Sequence, residues 1–471
     1  MYQPTCSTQK PLLRNRITSA IVLALGLGWL SGCGGGGGGS DSGSASSGSD
    51  AYGSAPASCS IADQRSWLQS YMKDRYFWYA NMGTANADAA DMNGFFQSLL
   101  YPVVDRYSYS ETTAQFEQFY GEGIFMGYGY SVTWSDPAKT VLKVRMVEPK
   151  SPVGLAGLKR GDTVISIDGF TPAQIVAGTP GRATAVGQPR TLVVRNSQGS
   201  TRTLTVSSAE FPYVSVPATA VITQNNGTSS VKVGYFVYQQ FINASASELG
   251  AAFRTFARED VKELIVDLRY NGGGSISIAR DLASMIGGSD LVGRVFTQLR
   301  YNAKHPQDNT VYTFVSSLSG LPAAPLSGLN RVVFITAEGT ASASELVING
   351  LIPHKNVVQI GSTTFGKPYG FLPVDACGLT YNAVNFETVN SLGMGRYDNG
   401  LAPACEVADD LDHQLGDPAE ARLAGALQYI RTGSCSAATA RASILRGAAG
   451  TQTRVVNSAF GEVTPPQMRA D

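Results

Sequence analysis

The stretch covering residues 332–371 constrains this chain more than any other. It begins as an apolar strand, Val332-Val333-Phe334-Ile335, and continues as Thr336-Ala337-Glu338-Gly339-Thr340-Ala341-Ser342-Ala343-Ser344-Glu345 into a helical run from about Leu346. A second apolar strand over 357–360 leads through Gly361 into the loop Thr363-Thr364-Phe365-Gly366-Lys367-Pro368-Tyr369-Gly370. Strand, small-residue turn and helix together set a hydroxyl at a helix N-terminus, where unpaired N–H groups and the helix dipole favour negative charge. In a parallel sheet the next strand ends beside that turn, which brings Lys367, the single lysine of its loop, close to Ser342 or Ser344. A serine and a lysine meeting at the edge of an α/β sheet fit a Ser-Lys hydrolase. The plainer alternative is a capped helix start beside a solvated lysine.

Other serine chemistries fit less well. The chain has three histidines, His305, His354 and His413. A helix running unbroken from Ser342 to His354 would separate them by about 18 Å, too far for a triad. Gly-x-Ser-x-Gly is absent, and neither Ser342 nor Ser344 begins a Ser-x-x-Lys, which disfavours an esterase or a β-lactam hydrolase. Lys367 is the base on offer, and it serves only when neutral. Its pKa must fall from about 10.4 to roughly 7–8, about 4 kcal/mol against the ammonium. Phe365, Tyr369 and Phe371 flank it and supply the apolar walls for that shift.

Two motifs, Thr340-Ala341-Ser342-Ala343-Ser344-Glu345 and Thr364-Phe365-Gly366-Lys367, resemble those of the C-terminal processing peptidases, also called tail-specific proteases. A further block of that family, Asp-Leu-Arg-x-Asn-x-Gly-Gly, stands here as Asp267-Leu268-Arg269-Tyr270-Asn271-Gly272-Gly273-Gly274. The resemblance runs more loosely from about residue 63 to about residue 430. It implies Ser342 as nucleophile, Lys367 as base, and an oxyanion hole built from the N–H of Ala343 with that of Gly273 or Gly274. It also implies a ClpP/crotonase-like α/β core with a largely parallel sheet. The family's Gln four residues after the lysine is Phe371 here, and Gly-Glu-Pro-Thr-Phe-Gly-Lys-Gly reads Gly361-Ser362-Thr363-Thr364-Phe365-Gly366-Lys367-Pro368. Glu345 either orients the lysine in place of that Gln or caps the helix.

The rest of the chain arranges itself around this core. Lys10, Arg14 and Arg16 precede an apolar run over 17–30 that ends Leu30-Ser31-Gly32-Cys33, a secretory signal too short to span a bilayer comfortably. Its ending resembles a lipobox, so residues 1–33 read as a lipoprotein signal with Cys33 as the lipidated residue. Residues 34–60, rich in Gly and Ser, cannot pack a core and read as a tether. An exported chain held to a bacterial membrane by Cys33 follows. Residues 61–111 read as small helices with aromatic stripes, Trp67, Tyr71, Phe77 and Trp78 among them.

Residues 112–210 resemble a PDZ domain, with strands expected at 128–134, 141–147, 163–167, 191–195 and 203–206 and the string Ala156-Gly157-Leu158-Lys159-Arg160-Gly161-Asp162. Gly127, Tyr128, Gly129 and Tyr130 would form its carboxylate-binding loop. From residue 231 strands alternate with helices, giving an α/β core over 211–435. The fold class is thus α/β in a multidomain, α+β sense. Four cysteines remain beyond Cys6 and Cys33, and Cys377–Cys405 with Cys59–Cys435 is the expected pairing. Residues 436–471 read as a loosely ordered tail. No metal motif and no cofactor motif occurs. Lys plus Arg equal Asp plus Glu at 36 each, so no net charge recruits nucleic acid. The expected partners are polypeptides with accessible C-termini and, through Cys33, a membrane. The alternative is a non-catalytic peptide- or ligand-binding lipoprotein on the same fold.

Overall fold

The computed structural model describes residues 55–175, 180–225, 230–318, 325–329, 331–436 and 467–469. The expected signal, Cys33 and the tether up to residue 54 lie outside the described residues.

A six-stranded sheet forms the core, in the order Cys405–Glu406, Asn356–Gly361, Arg331–Thr336, Glu263–Asp267, Ser230–Val237, Ala218–Asn225. All neighbours run parallel except the last pair. The register sets Asp267 opposite Ile335 and Thr336 opposite Gly361, so three strands finish on one edge. Helices cover both faces, which is why these strands are unbroken apolar runs. Val332 and Phe334 pack toward the helices Ser245–Arg258, Ile276–Gly287 and Ala343–Leu351. Val333 and Ile335 face the opposite side, against Leu423, Ala426 and Leu427 of the helix Ala421–Thr432.

The N-terminal helices Ile61–Arg75 and Met92–Leu99 are capped by the side chains of Ser60 and Asp91. Their aromatic stripe is core, but not a core of their own. Tyr71, Tyr76, Phe95 and Phe96 pack with Tyr369 and Tyr381, far along the chain. A separate five-stranded antiparallel sheet, Tyr130–Trp134, Leu142–Val147, Thr163–Ile167, Pro189–Arg195 and Thr201–Ser207, encloses Val132, Leu142, Val144, Val164, Leu192 and Val194. These strands lie within two residues of the expected ones. The pair Ile124–Gly127 and Ala209–Pro212 forms its stem.

Several features differ from the sequence reading. The helix after the serine turn begins at Ala343, three residues early, because the turn itself is tightly hydrogen-bonded. A four-stranded sheet of Thr310–Thr313, Val295–Tyr301, Phe386–Val389 and Tyr369–Gly370 has no strong alternating pattern to announce it. In the tail, Gln467–Arg469 forms a strand alongside Gly273–Ser275.

The disulfides are Cys59–Cys377 and Cys405–Cys435, not Cys377–Cys405 and Cys59–Cys435. Cys377 sits in the turn between Val374–Ala376 and Leu379–Asn382, whose residues pack against the N-terminal helices, and Cys59 just precedes the first of these. Cys435 follows the helix that returns to the strand carrying Cys405. Tertiary packing, not closeness in sequence, selected the partners. The first bridge spans a sequence separation of 318 residues. Cys377→Ser is expected to lower stability by about 2–4 kcal/mol in urea denaturation. Peptide mapping should recover Cys59 joined to Cys377, and recovery of Cys59 joined to Cys435 would contradict the structure.

Candidate active site

Three loops meet at the C-terminal edge of the parallel sheet. The turn after Arg331–Thr336 is tied down by Thr340, whose hydroxyl donates to the Leu268 carbonyl at 2.7 Å and accepts from the Ala337 N–H at 2.9 Å. The Ala341 N–H then donates to the Asn271 carbonyl at 3.0 Å. Ser342 is held at φ 61°, ψ −114°, an unfavourable conformation for a residue with a Cβ, costing about 1–3 kcal/mol. The flanking bonds impose it. Its Oγ is buried and has no hydrogen-bond partner among the described residues. Ser344 differs, because its hydroxyl donates to the Asn271 carbonyl at 3.1 Å. Of the two candidate serines, Ser342 alone has an uncommitted hydroxyl.

The glycine loop comes next. Asn271 donates from Nδ2 to the Tyr238 carbonyl at 3.0 Å, and its Oδ1 accepts from the Gly273 N–H at 2.8 Å. That bond commits Gly273. Gly274 has φ +133°, and a Cβ there would lie 2.0 Å from the Phe241 carbonyl oxygen, so only glycine fits. The Ala343 N–H heads its helix, where no acceptor exists within the helix itself. Gly274 and Ala343 are therefore the better oxyanion candidates.

Glu345 and Lys367 are both fully buried. One oxygen of Glu345 accepts from the Ser342 N–H at 2.9 Å and the Lys367 N–H at 2.8 Å; the other accepts from the Thr364 hydroxyl at 2.5 Å and the Gly366 N–H at 2.6 Å. Ser342 and Lys367 thus have backbone nitrogens within about 6 Å of each other, joined through one oxygen. Burial pushes the Glu345 carboxyl up, and these four donors pull it back. Burial also pulls the Lys367 pKa down to about 7, against the opposing charges of Asp105 and Glu345. Its Nζ lies 4.1 Å from the centre of the Phe371 ring and 6.0 Å from that of Tyr107.

Asp105, Arg106 and Tyr107 were not singled out as site residues by sequence reasoning. The Tyr107 hydroxyl donates to the Gly366 carbonyl at 2.8 Å, and Arg106 donates to the Asp398 carbonyl at 3.0 Å, so the helical region buttresses the lysine loop. Nothing in the composition of this stretch sets it apart. His354 is bound elsewhere, its Nε2 3.0 Å from the Val295 carbonyl. Gly127, Tyr128, Gly129 and Tyr130 belong to the five-stranded module and its stem, not to the Ser342 site. There the Gly129 carbonyl accepts from the Glu148 N–H at 2.8 Å, and the Arg190 guanidinium lies 4.2 Å from the centre of the Tyr128 ring. That module reaches the core through Arg160, which donates to the Tyr270 hydroxyl at 2.6 Å and pairs with Asp409 at 2.9 Å.

Residues 232–375 match the model of peptidase family S41, and residues 63–109 match the peptidase S41 N-terminal domain. These two segments resemble S41 peptidase domains, and the curated proteins similar to this chain are C-terminal processing peptidases. It is 24% identical over 328 residues to carboxy-terminal processing protease CtpB of Bacillus subtilis, covering 67% of this chain and 62% of that protein. It is 26% identical to the chloroplastic carboxyl-terminal-processing peptidase 2 of Arabidopsis thaliana, covering 57% and 50%. The match thus spans half to somewhat under two thirds of these relatives' length. A crystal structure from Bacteroides fragilis, assigned to the S41 proteases, aligns with a TM-score of 0.62 and 25% identity over 78% of this chain and 97% of that one.

A lysine with a lowered pKa penalises the folded state below its unfolded value of about 10.4, and the penalty is complete below about 7. Lys367→Met is therefore expected to raise Tm, by more at pH 6 than at pH 9. Equal changes at both pH values would mean that the amine is not held in this way.

Proposed function

We propose that this chain is a serine endopeptidase in which Ser342 is the nucleophile and Lys367 the general base. One observation carries the reading. A buried serine hydroxyl without a hydrogen-bond partner among the described residues, on strained backbone at a helix start, is joined through a single carboxylate to a buried lysine whose pKa is pulled down to about 7. Neutral Lys367 takes the Ser342 proton as Oγ attacks the scissile carbonyl. The oxyanion is received by the N–H groups of Gly274 and Ala343, each such donor contributing about 3–4 kcal/mol. The Lys367 ammonium then protonates the leaving amine, and water releases the acyl group from Ser342.

The same proposal extends to substrate choice and location. The five-stranded module is read as a PDZ domain that selects polypeptides by their C-terminal ends. Two features support this: Tyr130–Trp134 is an edge strand of its sheet, and Gly127 to Gly129 lead directly into it. An extended peptide can add to such an edge while its carboxylate meets the preceding N–H groups. Lipid anchoring at Cys33 outside the cytoplasm is supported by the sequence of residues 10–33 and by two disulfides, which oxidising compartments permit.

The test uses an unfolded protein with an apolar C-terminus as substrate. Ser342→Ala and Lys367→Ala should each lower kcat/KM by about 10³-fold or more with folding intact. In the wild type, kcat/KM should rise with pH through about 7 as Lys367 loses its proton. Cleavage that survives Ser342→Ala would overturn the assignment, and tight binding without cleavage by the wild type would favour a binding protein. Amidating the substrate's terminal carboxylate is expected to raise KM severalfold, and an unchanged KM would remove the PDZ from substrate choice.

A further inference from the structure

Segment Gln467–Arg469 lies parallel to Gly273–Ser275, with Gly273 opposite Gln467, Gly274 opposite Met468 and Ser275 opposite Arg469. It also lies against Tyr369–Gly370, just beyond Lys367, and against the helix Ala343–Leu351, which begins beside Ser342. One short strand therefore touches the strand that carries the proposed oxyanion donor and the two elements that directly follow the proposed base and nucleophile in the chain. The other edge of Gly273–Ser275 is already taken. The Gly273 carbonyl accepts from the Phe241 N–H at 2.9 Å, and the Ser275 N–H donates to the Phe241 carbonyl at 2.9 Å. Alternation along the strand then turns the N–H and carbonyl of Gly274 toward the edge where 467–469 runs. Gly274 is the glycine that Asn271 leaves uncommitted.

We propose that the edge of Gly273–Ser275 is where an extended polypeptide substrate is added as a strand, and that segment 467–469 occupies this edge in cis as an intramolecular competitor. The proposal rests on the peptidase reading above. Main-chain pairing supplies affinity with little demand on sequence, which suits an occupant provided by the chain itself. Tethering gives it an effective concentration of order millimolar, so it weakens substrate binding without altering the chemical step. A ladder of three residue pairs is short enough for a longer substrate to displace.

The experiment compares the full chain, a chain ending after Ser436, and the full chain carrying Met468→Pro, which removes an N–H and disrupts extended pairing. Hydrogen exchange of the Gly274 amide is the readout that needs no activity. Exchange should be faster in both variants than in the full chain. On a polypeptide substrate, both variants should show KM lowered about tenfold with kcat unchanged, and a synthetic peptide of residues 464–471 should raise KM of the shortened chain again. Equal Gly274 exchange and equal KM in all three chains would overturn the proposal while leaving a Ser342-dependent peptidase intact. If Gly274 exchange differs as expected and none of the chains cleaves, the strand pairing stands and the peptidase reading fails.

Discussion

A single buried carboxylate, that of Glu345, holds the two halves of the site together. Its two oxygens accept four hydrogen bonds, from the backbone of Ser342, Gly366 and Lys367 and from the Thr364 hydroxyl. An ionised carboxylate buried without partners would be prohibitively costly, and these donors are what make its position tenable. The dependence is mutual. Without Glu345 three backbone N–H groups would lose their acceptor, at about 1–3 kcal/mol each. Glu345 thus neither simply caps the helix nor grips the lysine ammonium. It binds the backbone on both sides of the gap, and so fixes where the two side chains start.

A second set of buried polar contacts fixes the glycine loop. Arg269 is almost fully buried, donates to both oxygens of Asp267 and of Glu420, and reaches Asp409 at 3.0 Å. Burying so many charges earns little net stability, since desolvation offsets most of the attraction. What it secures is placement: the end of one strand, the start of the helix Ala421–Thr432 and the loop carrying Asp409 must all converge. Burial opposes ionisation of Asp409, but Arg422, Arg160 and Arg269 hold its carboxyl well below the usual range. Through Arg160, the five-stranded module is joined to the same network, one residue from Asn271.

The lysine depends on the N-terminal helical region, which is not its sequence neighbour. Tyr107 braces the loop at Gly366, and the aromatic cluster of the first two helices encloses Tyr369. Phe371 presents a ring to Nζ. A ring face favours an ammonium by about 0.5–2 kcal/mol. Burial outweighs it, because a pKa near 7 corresponds to a penalty on the order of 5 kcal/mol against the charged form.

Much of this was legible in the sequence, where local pattern and physical requirement coincide. Apolar runs bounded by small residues marked the parallel strands, since helices cover both faces. The expected strand positions and the string from Ala156 to Asp162 marked the five-stranded module, and the Ser342 turn with its Lys367 loop marked the candidate site. The sequence left open whether Ser342 or Ser344 was free and whether Gly273 or Gly274 could donate. Both choices are made by Asn271, which occupies Ser344 with its carbonyl and Gly273 with its side chain. The disulfide partners, the bracing by Asp105 to Tyr107 and the strand at 467–469 likewise came only from the folded chain. Each depends on contacts between segments distant in sequence. Periodicity records which face of an element is buried, but it carries no information about which distant element covers it.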